Sequence, residues 1–419
     1  MLRPHPLLRR ASHLVYIISV LFSLSLCLSA QVQSYRPYFT YYPGSTFVDG
    51  KALYVVGGTD ATDTVVNQAF MIDLSVSWKT TSPVYKKLPP LNSCYWCPTA
   101  MSGDGQRLLS FWFGTGHAFV IQANMWTHFL TYDGDFGHAG ATDPTTGKIF
   151  IPTFALSEDE KSGMMSMFIV DSNDYTSRVD DATAMWMRDW DKYAMAWNAR
   201  LKKLLLVHMS RMYSYTPEEG WKNSTGPPGL RATDDFCMVS SSSGSKVVLF
   251  GGYSKSLNAS LGDIFILDAT TLTWKKGPPT PQNDNRRFPV CGLSNDQFIA
   301  WGGFNKRNTA LAHDTLVYDL KTDEWVSEYT APTANPTSTT PSGQGEPRPT
   351  DTPSSEGDTS SSESGTSDRT GLIGAIVGAF VGALAVGLAA GGIVEYRAHR
   401  RRSKAGSSSV ATERKETVQ

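Results

Sequence analysis

The stretch VVLFGG (Val247–Gly252), followed by FILD (Phe265–Asp268) and then Trp274, decides how this chain is read. Short β-rich runs broken by Gly, Asn, Asp and Pro are strands joined by turns. The same order of features occurs twice more: LYVVGG (Leu53–Gly58), FMIDL (Phe70–Leu74) and Trp78; then FIAWGG (Phe298–Gly303), LVYDL (Leu316–Leu320) and Trp325. From the second glycine to the aspartate the spacing is 15, 16 and 16 residues, and from the aspartate to the tryptophan 5, 6 and 6. Two spacings kept three times mark an internal repeat.

Three weaker units fill the interval: LLSFWFGTG (Leu108–Gly116) with Ala118–Ile121 and Trp126; KIFIPTF (Lys148–Phe154) with Met167–Asp171; and KLLLVHM (Lys203–Met209) with Met212–Tyr215 and Trp221. All three lack the Gly-Gly pair. Together the units run from Ser45 to Glu328 with a period of about 47 residues, in the range of propeller repeats.

On these motifs the chain resembles the Kelch and galactose-oxidase-type β-propellers. The resemblance implies an all-β fold in which each unit is one four-stranded blade; six blades are expected, with five or seven as alternatives. It places Gly57, Gly58, Gly251, Gly252, Gly302 and Gly303 at the ends of second strands. Asp73, Asp268 and Asp319 fall on third strands, and Trp78, Trp274 and Trp325 on fourth strands as wedges between blades. Glycine suits positions of unusual φ or close backbone approach, and tryptophan supplies a large apolar wedge. An ordinary β-sandwich lacks such a constant period.

The chain has 419 residues and a net charge of −1. That balance argues against nucleic acid as a partner. The ends differ from the middle. Arg3, Arg9 and Arg10 precede an uncharged run from Leu14 to Leu28, so residues 1–30 read as a signal peptide, with an uncleaved anchor as the alternative. Residues 331–369 are rich in Ser, Thr and Pro and have too little apolar surface to fold. They read as a stalk, O-glycosylated or plain. Gly371–Val394 carries no charge and is long enough to cross a bilayer as a helix. Arg397, Arg400, Arg401, Arg402 and Lys404 then mark residues 395–419 as a cytosolic tail. The expectation is a single-pass type I protein at the plasma membrane or an endomembrane. Its ectodomain, residues 31–330, lies outside or in the lumen. Gly374, Gly378 and Gly382 form a small-residue ladder through which the helix could dimerise.

Cys94, Cys97, Cys237 and Cys291 remain once Cys27 leaves with the signal; an even number in an oxidising compartment suggests disulfides, and four cysteines allow three pairings. Cys94–Cys97 could close a local ring, and Cys237 could meet Cys291 on first strands of adjacent units, with free buried thiols as the alternative. Asn223-Ser-Thr225 and Asn258-Ala-Ser260 are N-glycosylation sequons.

The galactose-oxidase resemblance implies a copper site that uses a Tyr-His pair, and no such pair occurs. His117, His128, His138, His208 and His313 read as scattered through different units, and Asp133-Gly-Asp135-Phe-Gly-His138 reads as a tight turn. No cofactor or catalytic residue is assigned. The reading is a non-enzymatic platform for an extracellular protein or glycan; the alternative is a membrane-tethered carbohydrate-active or galactose-oxidase-like enzyme. Protease added to intact cells is expected to remove the glycosylated ectodomain and leave the C-terminal tail. Protection of the ectodomain at the surface would reverse the topology.

Overall fold

The structure is a computed structural model. It describes residues 35–333 except 92–93, 113, 133–135, 157–161, 189–191, 232–233 and 305–314. Residues 1–30, read as a signal, and Gly371–Val394, read as a membrane span with its glycine ladder, lie outside the described residues. Among the described residues no helix is long and apolar enough to cross a membrane.

Six sheets follow one another along the chain, each built from consecutive antiparallel strands in the order in which they occur. Blade 1 comprises Gly44–Val48, Ala52–Val56, Ala69–Asp73 and Tyr85–Leu88, and blade 2 Thr99–Met101, Arg107–Trp112, Thr115–Val120 and Met125–Thr131. Blade 3 comprises Ala141–Thr142, Lys148–Leu156, Ser162–Asp171 and Ser177–Arg188, and blade 4 Tyr193–Asn198, Lys203–His208, Arg211–Thr216 and Gly220–Thr225. Blade 5 comprises Asp234–Ser240, Lys246–Ser254, Ile264–Asp268 and Thr273–Lys276, with the short strand Ala259–Ser260 added; blade 6 comprises Val290–Ser294, Gln297–Trp301, Leu316–Asp319 and Glu324–Val326. The first strands pack side by side around a central channel.

There are as many apolar cores as blades, one in each cleft between neighbours. Tyr54 and Leu88 meet Leu108 and Phe119; Phe111 meets Ile149 and Phe168; Phe150 meets Leu204 and Tyr215. Leu205 and Val207 meet Val247 and Phe265, and Val248 and Phe250 meet Phe298 and Tyr318. Phe70 and Ile72 meet Trp301 and Tyr329, which closes the ring between blades 1 and 6. A strand buried on both faces reads as a continuous apolar run, as Ala52–Val56 does and as Gln297–Trp301 does after its first residue.

The repeated aspartates terminate third strands. Asp73 Oδ1 accepts from the Ser75 amide at 2.9 Å, Asp268 Oδ1 from Thr270 at 2.8 Å and Asp319 Oδ1 from Lys321 at 2.8 Å. Each is an Asx turn, in which a short acceptor side chain starts the reversal into the outer strand.

Three tryptophans of the outer strands, those of blades 2, 5 and 6, rivet one blade to the blade before it. Trp126 Nε1 donates to the Pro89 carbonyl at 2.8 Å, Trp274 Nε1 to Thr225 at 3.3 Å and Trp325 Nε1 to Pro278 at 3.1 Å. Trp78 departs from the fourth-strand expectation. The outer strand of blade 1 is Tyr85–Leu88, and Trp78–Lys79 instead pairs with Glu328–Tyr329 as a separate ribbon. Trp78 stacks on Tyr329 with ring centroids 4.9 Å apart. The cause is closure: blade 6 is the other neighbour of blade 1 in the ring, so the segment after blade 6 takes that place.

Tyr329 is fully buried and its hydroxyl donates to the Leu74 carbonyl at 2.9 Å. Tyr329→Ala should lower stability by about 3–5 kcal/mol and Tyr329→Phe by about 1 kcal/mol, read by thermal melting. A Tyr329→Ala variant that melts like the parent would contradict closure through this residue.

Asp268 is held at about 2, below its usual 3.8, first by the Lys246 ammonium and then by the Thr270 and Thr271 amides. A depressed folded value means that its contribution is complete above about pH 4 and is lost as pH falls through about 2. The Asp268→Asn variant should therefore show a flatter decline of melting temperature than the parent between about pH 5 and pH 2.

Candidate functional site: an aromatic mouth on the central channel

The glycine pairs build the site. Gly57 and Gly58 have φ of +66° and +96°, Gly251 and Gly252 +78° and +96°, and Gly302 and Gly303 +69° and +83°. In this left-handed region glycine is the default residue. A Cβ on Gly57 would lie 1.8 Å from the Cys94 carbonyl oxygen, and one on Gly251 would lie 2.5 Å from that of Arg286. The second glycine of each pair donates its amide to the incoming connection: Gly58 to Cys94 O at 2.7 Å, Gly252 to Arg286 O at 2.8 Å and Gly303 to Thr40 O at 3.2 Å.

Two residues beyond each of these carbonyls stands an aromatic side chain with positive φ: Trp96 (+52°), Phe288 (+54°) and Tyr42 (+56°). Bulky residues rarely adopt this conformation, and such outliers gather at functional sites. The backbone around the channel holds them there. The Trp96 amide donates to Tyr42 O at 2.8 Å and the Phe288 amide to Asp235 O at 2.7 Å, Asp235 itself having φ +65°.

The rings form a belt around one end of the channel. Tyr42 meets Phe288 at 3.8 Å and Trp96 edge-on at 4.5 Å between centroids. His138 continues the belt, 4.2 Å from the Tyr193 ring, and its Nε2 donates to the Tyr193 carbonyl at 2.7 Å. Tyr41 packs on Phe304 at 4.3 Å, and the Arg287 guanidinium lies 5.0 Å over both Tyr253 and Phe304. Burial first, and then its hydrogen bond to the Asp63 carboxylate, push the Tyr41 phenol above its usual range. Burial does the same to Tyr193. Both therefore stay protonated.

Behind the belt the channel encloses about 420 Å³, walled by first-strand residues such as Ser45, Thr99, Ala194, Ala196 and Met238. Cys94 and Cys97 are joined, closing a four-residue loop that contains Trp96, and Cys237 is joined to Cys291 across the first strands of blades 5 and 6. Both bridges sit directly beneath the mouth. The Cys237–Cys291 bridge spans 54 residues, and restraining a loop of that length is worth about 4 kcal/mol in the chain-entropy account.

The opposite end of the ring carries the tight turns between first and second strands and between third and outer strands. The chain leaves there: the Ala331 amide donates to Ser77 Oγ and the Thr330 amide to Gln297 Oε1. Asn223 is exposed on the outer strand of blade 4. Asn258 is exposed on a turn of blade 5 at the mouth end, where its Oδ1 accepts from the Tyr253 hydroxyl. Asp133 and Asp135 lie outside the described residues. Among the described residues no group of three or more His, Cys, Asp or Glu side chains gathers as a metal site.

None of the belt residues stands out from the repeat motifs alone. A signal was present in Tyr41-Tyr42-Pro43, Tyr95-Trp96-Cys97-Pro98 and Arg287-Phe288-Pro289, three aromatic-proline stretches that each open a blade. The histidine reading needs one correction: His117 and His128 share blade 2 and are cross-strand partners. A β-bulge between Gly116 and His117 sets that register.

A family model for the Kelch motif matches residues 236–281, the span of blade 5 from its first strand to beyond its outer strand. No curated protein matches the chain.

Proposed function

We propose that this chain, a Kelch-repeat β-propeller, acts as a rigid, non-enzymatic binding platform whose aromatic mouth takes up an extracellular protein or glycan. The observation that carries the reading is the belt of Tyr42, Trp96 and Phe288, held in left-handed conformations by the glycine-bound connections. Flat, half-buried rings fixed before binding lose little entropy when a partner docks, and Tyr and Trp are enriched among residues that dominate binding energy.

The membrane reading rests on the sequence: the uncharged run Gly371–Val394 followed by Arg397, Arg400, Arg401 and Arg402 supports a type I arrangement at the plasma membrane or an endomembrane. Exposed Asn223 and Asn258 suit N-glycosylation, and a glycan on Asn258 would stand at the mouth end of blade 5.

The test is a binding screen of the protein against arrays of secreted proteins and of glycans. Trp96→Ala and Phe288→Ala should each weaken a true partner by about 30-fold or more, the range of an interface hot spot. Leu272→Ala, at an exposed turn on the opposite end, should leave binding unchanged. A partner that binds both mouth variants like the parent would move the site elsewhere.

A further inference from the structure

We propose that His117 and His128 form a binding site for a divalent first-row transition cation, copper(II) foremost, on the outer half of blade 2. The site is separate from the aromatic mouth and does not depend on the function assigned to it.

The two residues face each other across the third and outer strands, with ring centroids 5.5 Å apart and planes inclined by 72°. With metal–nitrogen bonds of about 2.0–2.1 Å, two imidazoles bound side by side to one ion have ring centres roughly 4.5–5.5 Å apart. The pair therefore stands at the upper edge of ligating distance before any ion arrives. His117 Nε2 lies 3.3 Å from the Thr115 hydroxyl oxygen and His128 Nε2 lies 3.3 Å from that of Thr131. Thr115 and Thr131 are themselves cross-strand partners. The two Nε2 atoms thus lean toward the same end of the ribbon, where one ion can reach both.

The threonines orient the rings. Thr115 donates its hydroxyl proton to the Trp112 carbonyl at 2.6 Å, so it accepts from His117 Nε2. Binding exchanges that contact for the metal: the proton moves to Nδ1 by tautomer exchange and the Nε2 lone pair becomes the ligand. Imidazole pairs suit copper, nickel and zinc, and affinity rises to copper(II) and falls at zinc. The remaining positions would be filled by water, because His128 and Thr131 are exposed.

The experiment is titration of the full-length protein with copper(II) sulfate, followed by calorimetry and by electron paramagnetic resonance. The parent should bind one more equivalent than either His117→Gln or His128→Gln, with nitrogen hyperfine structure from two imidazoles. Zinc should compete for that equivalent with lower affinity. His128→Gln changes an exposed side chain, so its metal-free melting temperature should match the parent and its loss of copper should report ligation alone. His138→Gln should retain the equivalent. Unchanged copper stoichiometry in both His117→Gln and His128→Gln, or a parent signal without two nitrogens, would overturn the site.

Discussion

The contact on which the rest depends is the amide of the second glycine in each Gly-Gly pair, donated to a carbonyl of the segment that passes above it. A left-handed pair, which follows the second strand in blades 1 and 6 but lies within it in blade 5, where the strand runs on to Ser254 against the sequence expectation, turns an amide outward where an ordinary strand would spend it in the ladder. The connection must then approach so closely that a Cβ on the first glycine of blade 1 or blade 5 would strike its carbonyl oxygen. That approach puts the next two residues at the rim of the channel. Tyr42, Trp96 and Phe288 occupy the mouth because Thr40, Cys94 and Arg286 are fixed by the glycines.

The same contact explains how the ring closes. In blades 1 and 5 the bound carbonyl belongs to the connection leading to the next blade. In blade 6 the next blade around the ring is blade 1, and Thr40, upstream of it, supplies the carbonyl. The N-terminal segment therefore takes the place of a connection from blade 6 to blade 1. Gln68 secures it, exchanging two amide hydrogen bonds with the Tyr38 backbone. On the opposite end Glu328–Tyr329 reaches across to Trp78–Lys79. Among the described residues no strand is shared between the first and last blades, so closure rests on these two flanking segments and on the Phe70–Trp301 core. Each blade buries its faces only against neighbours, as in other repeat folds, which makes the seam the place where cooperativity is most easily lost.

A surface built this way is stiff. The aromatic belt rests on backbone hydrogen bonds between blades, and two disulfides lie beneath it. Strained φ values persist only where the surroundings over-determine them, and here the glycine contacts, the prolines that follow and the bridges all constrain the same few residues. The outer strands carry a different chemistry. The His117–His128 pair stands on the outer half of one blade, where a bulge shifts the register by one residue.

Much of this was written in local sequence. The glycines answer to φ and the aspartates to an Asx turn, requirements met within a few positions; the tryptophans of blades 2, 5 and 6 reach residues 37, 49 and 47 positions back, and only their constant place in the repeat displays them. In the weaker units the apolar runs marked the second and third strands even where the Gly-Gly pair is missing, and the count of four came from the resemblance. Trp78 shows where spacing stops: it keeps the repeat position yet leaves the outer strand, because its neighbour is the far end of the chain. Tyr42, Trp96 and Phe288 are distant in sequence and become one surface only when the ring closes. The facing of His117 and His128 depends on a bulge that no periodic pattern records. Local backbone chemistry is legible residue by residue, whereas a site assembled from several blades exists only after closure has brought their ends together.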